Sequence, residues 1–255
     1  MGHAFHDSIE RSWTLHYREG LRKLGYPQKA IDAVRINPDE PEEGTIPVYL
    51  ERRAERQNKM GWTISGKFDQ AIEGELYDTK STSVYSYILG SKDQDYIKQG
   101  SIYRWLNPKI LTGDHIHIQH IFTDWQRSMA KQQPDRYPQS RLVNSTYNLM
   151  SLPETEDFID FRVSEITKYY NADESEIPFC TDEELWRSAP KYKYFANPDK
   201  TDGKSTKNFD DLAEAHGYRA EKGKGVVITV PGQVKACGYC PAFNYCKQKD
   251  LYVHD

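Results

Sequence analysis

Gly66-Lys67-Phe68-Asp69-Gln70-Ala71-Ile72-Glu73-Gly74-Glu75-Leu76-Tyr77-Asp78-Thr79-Lys80 decides how this chain is read. Two strand-like runs flank Glu73-Gly74, a dipeptide suited to a tight turn. Asp78 and Lys80 are two apart, so on an extended strand their side chains share one face. Two carboxylates and a lysine on neighbouring strands can hold a divalent cation beside an ammonium group. Phosphodiester hydrolysis needs that pairing, because the cation activates water and offsets charge building on the phosphate.

Outward from this hairpin, Trp62, Ile64 and Phe68 alternate with Thr63, Ser65, Lys67 and Asp69, the period of a strand. Ile46 to Arg52 precedes it as a further strand, and the three runs predict an antiparallel meander. Upstream, Phe5, Ile9, Trp13, Leu21 and Leu24 predict a helix over 5–24, broken at Gly25-Tyr26-Pro27. Downstream, 93–106 reads as a helix stopped by Pro108. His115 to Phe122 alternates as a strand and Arg141 to Leu149 adds another. Pro153 suits the first turn of a helix running to Tyr170. Beyond residue 171 the character changes: residues 187–208 are rich in Lys, Pro and Asn, and short strands are expected at Tyr192 to Phe195 and Val226 to Val230. A short helix is expected from Phe209 to Tyr218.

With 255 residues the chain can build one substantial core. Its net charge of -4 gives no overall basic field, so contact with nucleic acid would need a local track drawn from the 34 Lys and Arg. No apolar run approaches the roughly 20 residues of a membrane span, and no signal-peptide core follows Met1. A cytoplasmic protein is expected, the host cytoplasm if the chain is phage-encoded. Thiols stay reduced there, so the four cysteines are expected to bind metal or lie buried rather than form disulfides.

Three features strengthen the acidic pair. Gly66 permits close backbone approach. Aspartate is disfavoured within strands, yet both carboxylates follow apolar runs. Gln99 and Tyr103 are four apart on the next helix and share a face. There Gln99 can donate to a phosphate and Tyr103 can stack on a base.

Together, Gly66-x-x-Asp69, Asp78-Thr79-Lys80 and Gln99-x-x-x-Tyr103 resemble the motifs of the PD-(D/E)XK nuclease superfamily, in its RecB-type branch. That branch carries a first-helix histidine in a G-x-x-x-H pattern, which Gly2-His3-Ala4-Phe5-His6 matches; His3 and Asp7 are alternatives nearby. The resemblance implies an α/β, restriction-endonuclease-like fold, with a mixed central sheet flanked by helices. It assigns His6, Asp69, Asp78 and the Thr79 carbonyl to Mg2+ or Mn2+, and gives Lys80 the task of orienting water or steadying the phosphate. Glu51 resembles a family acidic position more weakly. The implied activity is hydrolysis of DNA, single-stranded or at duplex ends, by an exonuclease of recombination, repair or phage replication, with a helicase or recombinase as partner. The match covers residues 2 to about 105. The nuclease core is expected over 1–171, with 172–255 packed on it in one compact domain.

Cys237-Gly238-Tyr239-Cys240 and Cys246 give C-x2-C-x5-C, three thiolates able to share one centre. Zinc and a 4Fe–4S cluster both take four ligands, and Cys180 is the remaining cysteine. The spacing resembles iron–sulfur nucleases of the AddB type and of CRISPR adaptation. Those place the distant cysteine before the histidine helix; here Cys180 would substitute, in a Cys180-Thr181-Asp182-Glu183-Glu184-x-Trp186 stretch similar to phage and prophage members. The resemblance implies a 4Fe–4S cluster, with Zn2+ as the alternative, clipping the C-terminal segment.

The His115, His117 and His120 set reads as a polar strand, with His115 and His117 on one face and His120 on the other. A rival reading of the whole chain is a non-catalytic DNA-binding or adaptor protein with a structural zinc or iron–sulfur site.

Overall fold

The computed structural model describes residues 2–90 and 92–252, apart from the side chain of His3, whose candidacy as a ligand therefore lies outside the described residues. The chain divides into two compact units, Met1–Thr167 and Lys168–Asp255.

The first unit is built on a six-stranded mixed sheet in the order β1-β2-β3-β4-β5-β6. Its strands are β1 (Val34–Ile36), β2 (Ile46–Gln57), β3 (Thr63–Ile72), β4 (Glu75–Thr82), β5 (His115–Phe122) and β6 (Leu142–Asn148). The meander β2-β3-β4 is antiparallel, as the alternation predicts, and β5 then pairs parallel to β4. A parallel neighbour requires a crossover. It is supplied by α4 (Val84–Leu89) and α5 (Asp93–Leu106).

Helices flank the sheet. Tyr49, Phe68, Ala71, Leu76, Ile116 and Ile118 form a buried cluster against which Tyr96 and Tyr103 of α5 pack. The buried Arg104 anchors α5 by donating to the Gly113 carbonyl at 3.1 Å and pairing with Asp114. Val34, Val48 and Leu50 pack instead with Trp13, Tyr17 and Leu21. These come from α1 (Gly2–Leu15) and α2 (Tyr17–Lys23), so the helix expected over 5–24 is two helices broken at His16. The bend lets residues from both helices reach one cluster on the curled sheet.

Other short elements escaped the sequence patterns: α3 (Gln28–Ala33), β1, α4 and α6 (Arg127–Gln132) carry too few residues for a period to show. The helix expected from Pro153 is α7 (Leu152–Tyr169), which packs Ile159 and Val163 against Trp105 and Leu106. Among the described residues, no helix is long and apolar enough to cross a membrane.

The second unit carries a three-stranded antiparallel sheet of β7 (Lys191–Phe195), β8 (Lys207–Phe209) and β9 (Val226–Val230), in the order β8-β7-β9. Helix α8 (Leu212–Lys222) covers Tyr194 and Phe209 with Ala215 and Tyr218. The helix expected from Phe209 starts later because Asp211 caps it, accepting the Glu214 N–H at 2.9 Å, and Phe209 ends a strand instead.

Candidate functional site

The hairpin turn sets the register on which the site depends. Glu73 and Gly74 both have positive φ, 50° and 88°, so the loop is the two-residue, mirror-image turn that matches strand twist. Ile72 then pairs with Glu75, Ala71 with Leu76 and Gln70 with Tyr77. The next positions in that register are Asp69 and Asp78, and there the ladder stops. Asp69 Oδ2 accepts the Thr79 N–H at 3.3 Å, a side chain meeting the backbone where the hairpin opens.

A second distortion lies on the other side of Asp69. In the β2–β3 ladder Leu50 pairs with Gln70 and Arg52 with Phe68, leaving Glu51 opposite Asp69. Glu51 has φ 50°, a left-handed backbone that costs a non-glycine residue roughly 1–3 kcal/mol and clusters at functional sites. On β3, Phe68 and Ala71 are three apart yet join one buried cluster, so the strict alternation of the strand is broken between them. Glu51, Asp69 and Asp78 thus form one acidic row across β2, β3 and β4.

Helix α1 brings His6 to the row, with Nδ1 3.0 Å from Asp69 Oδ2. Among the described residues, His6, Glu51 and Asp69 present ligand atoms all within 4.8 Å of one another, the spacing of a shared cation. Glu51, the weaker expectation from sequence, is therefore a full member of this group, and Asp78 stands outside it. Asp78 is almost wholly buried; Lys80 Nζ lies 2.8 Å from its Oδ2, while its Oδ1 is buried with no hydrogen-bond partner among the described residues. Such an orphaned carboxylate oxygen fits a cation or a donor from a bound molecule. The residues present thus suit a hard divalent ion with oxygen and imidazole ligands.

Burial pushes the Asp69 carboxyl up to about 6, with the Asp78 charge adding to it; His6, the Thr79 amide and Lys80 act in the opposite direction. Thr79 also donates its hydroxyl to Gln119 Oε1 at 3.1 Å. On α5, Gln99 donates to the Tyr103 hydroxyl at 3.1 Å. Burial raises the Tyr103 phenol, the Gln99 bond lowers it, and the charges of Asp78, Asp69 and Glu51 raise it further. Gly66 lets α5 approach: a Cβ there would lie 2.9 Å from Leu106 Cδ1 and 3.0 Å from Tyr103 Cε1.

His115 and His117 lie beside Glu75 on one sheet face, at 3.8 and 3.3 Å, and His117 stacks on Tyr77. His120 departs from the polar-strand expectation. It is buried against Tyr87, Tyr96 and Phe122, with both ring nitrogens lacking partners among the described residues and its pKa lowered by burial.

In the second unit Cys180, Cys237, Cys240 and Cys246 are free thiols lining one cavity with Leu185, Ala236 and Phe243. Gln248 fastens the two segments: its Oε1 accepts the Cys180 N–H at 3.0 Å and its Nε2 donates to the Cys180 carbonyl at 3.4 Å. The Leu185 carbonyl accepts the Lys235 and Ala236 N–H groups. Burial raises the Cys180 thiol, and the other three cysteines raise it too. No three of these sulfurs close to within 4.8 Å of one another.

Comparison with protein-family models, with curated proteins and with solved structures finds no match for this chain.

Proposed function

We propose that this chain is a metal-dependent DNA nuclease, of the PD-(D/E)XK type that its motifs resemble. The observation that carries the reading is the acidic row Glu51–Asp69–Asp78, with His6 on one side and Lys80 bonded to a buried aspartate that keeps an orphaned oxygen. His6, Glu51 and Asp69 would hold Mg2+ or Mn2+, with Asp78 and the Thr79 carbonyl completing the set. The ion supplies a lowered pKa for water and a counter-charge for the phosphate. Lys80 presents an ammonium fixed by Asp78, placed to steady the phosphate or orient water. Gln99 and Tyr103 grip the strand beside it. Exonuclease action in recombination, repair or phage replication, in a cytoplasmic setting and beside a helicase or recombinase, follows from the resemblance.

The cysteine cavity is read as a 4Fe–4S site. Four free thiols lining one cavity support a shared centre, and the choice of the cluster over zinc follows from the resemblance.

The test is digestion of end-labelled single-stranded, double-stranded and circular DNA with and without Mn2+, using wild type, Asp78→Asn and Lys80→Ala. Metal-dependent cleavage by wild type and its loss by at least a hundredfold in both variants, which stay folded, is expected, in line with removal of transition-state charge stabilisation. Undiminished cleavage in either variant would refute the assignment. DNA binding without cleavage by wild type would favour the adaptor reading.

A further inference from the structure

Lys67 belongs to neither the expected metal ligands nor the expected lysine, yet it pairs directly with one member of the ligand group. Its Nζ bonds Glu51 Oε2. The Glu51 bond and charge raise the Lys67 pKa, and the charges of Asp69 and Glu10 raise it further. Glu10 lies one helical turn after His6 on α1 and lines the same small cavity as His6, Glu51 and Asp69.

The two lysines at this site are held differently. Lys80 pairs with a carboxylate only 3% exposed, and moving it away would leave a buried charge uncompensated. Lys67 is 46% exposed and pairs with a carboxylate 22% exposed, so its four-carbon stem can swing into solvent at little cost. A divalent ion held by His6, Glu51 and Asp69 would draw on the same carboxylate that Lys67 now holds.

We propose that Lys67 competes with the divalent ion for Glu51, and that the ammonium so displaced binds a phosphate of the nucleic-acid strand. The inference rests on the nuclease reading and adds a substrate contact to it. The displaced group is well placed for this task. It projects from β3 two residues before Asp69, with Arg53 as its partner in the β2–β3 ladder. Among the described residues Arg53 Nη1 reaches only the Ser65 hydroxyl, at 3.4 Å, so Lys67 and Arg53 together offer two cations beside the acidic row. The chemical group recognised is a phosphodiester oxygen next to the one being attacked, and metal binding and strand binding are coupled through one side chain.

This coupling predicts effects of opposite sign. Lys67→Met should tighten Mn2+ binding, titrated without DNA, by about threefold to fivefold, because the ion no longer displaces an ammonium. The same variant should raise KM for a single-stranded oligonucleotide about fivefold with kcat little changed, and lower the salt dependence of KM by about one phosphate contact. Lys67→Arg should keep the wild-type KM.

A merely structural ion pair predicts lower stability with no gain in metal affinity. If wild type binds Mn2+ and cleaves DNA while Lys67→Met shows unchanged or weaker Mn2+ affinity, or unchanged KM, the inference is overturned and the nuclease reading stands. If wild type neither binds Mn2+ nor cleaves DNA, both are overturned.

Discussion

Replacing Asp69 by Asn should stabilise the metal-free protein at neutral pH, against the usual cost of altering a half-buried residue. The carboxyl sits at about 6 in the folded chain, up from 3.8, because burial and the charge of Asp78 disfavour its ionised form. A shift of roughly two units corresponds to about 3 kcal/mol of differential free energy between protonation states. The sign follows from proton counting. Between pH 3.8 and 6 the folded state binds more protons at this site than the unfolded state does, so its contribution to stability falls as pH rises. The contribution is fully present below pH 3.8 and lost above about pH 6. Asparagine mimics the neutral form, so at pH 8 it recovers much of that loss. The recovery is partial, because it also gives up the attraction of His6 and Lys80. For a unit of this size about 1–2 kcal/mol moves the melting temperature by roughly 2–8 °C. The assay is thermal unfolding in excess chelator at pH 5 and pH 8. Asp69→Asn should melt above wild type at pH 8, with the gap narrowing towards pH 5. Saturating Mn2+ should reverse the order, since only wild type keeps the ligand. A variant that melts below wild type at pH 8 in chelator would refute the claim that Asp69 is held ionised against its surroundings.

Gly66→Ala should lower both stability, by about 1–3 kcal/mol, and cleavage, because its Cβ presses on Leu106 and Tyr103 and pushes α5 from the acidic row; denaturant unfolding and activity should fall together. Cys180→Ser, purified anaerobically, should lose iron content and visible absorption and expose the second unit to proteolysis, because a structural centre couples its binding energy to folding. A colourless, zinc-containing wild type would move that site to the alternative metal.

The site was legible in unequal parts, and the reason is register. Glu73-Gly74 is a two-residue turn, and a turn of that length fixes which residues oppose each other. Counting outward from it places Asp69 across from Asp78 without any coordinates. The strand alternation of His115–Phe122 and the Pro108 stop after α5 are equally local signals, and both elements form over the residues expected. Glu51 had no such signal. The link between β2 and β3 spans 58–62, long enough to leave the register open, so nothing in the sequence fixes Glu51 opposite Asp69. Its left-handed backbone is equally invisible, because glutamate has no propensity for it and tertiary structure imposes it. Lys67 was passed over for a related reason: alternation groups it with Ser65 and Asp69 on the polar face, but its pairing with Glu51 across the strand depends on the register that the 58–62 link leaves open. The distortion that kept Glu51 a weak expectation is also what makes a site here. A regular ladder would spend the backbone groups of Thr79 on its neighbour strand and alternate Glu51, Asp69 and Asp78 with their neighbours in a closed sheet. Opening the hairpin at this row frees the Thr79 N–H for Asp69 and lets α1 reach in with His6. The acidic row is therefore a consequence of broken pairing, and restoring regular pairing at Glu51 would remove the cation site along with the strain.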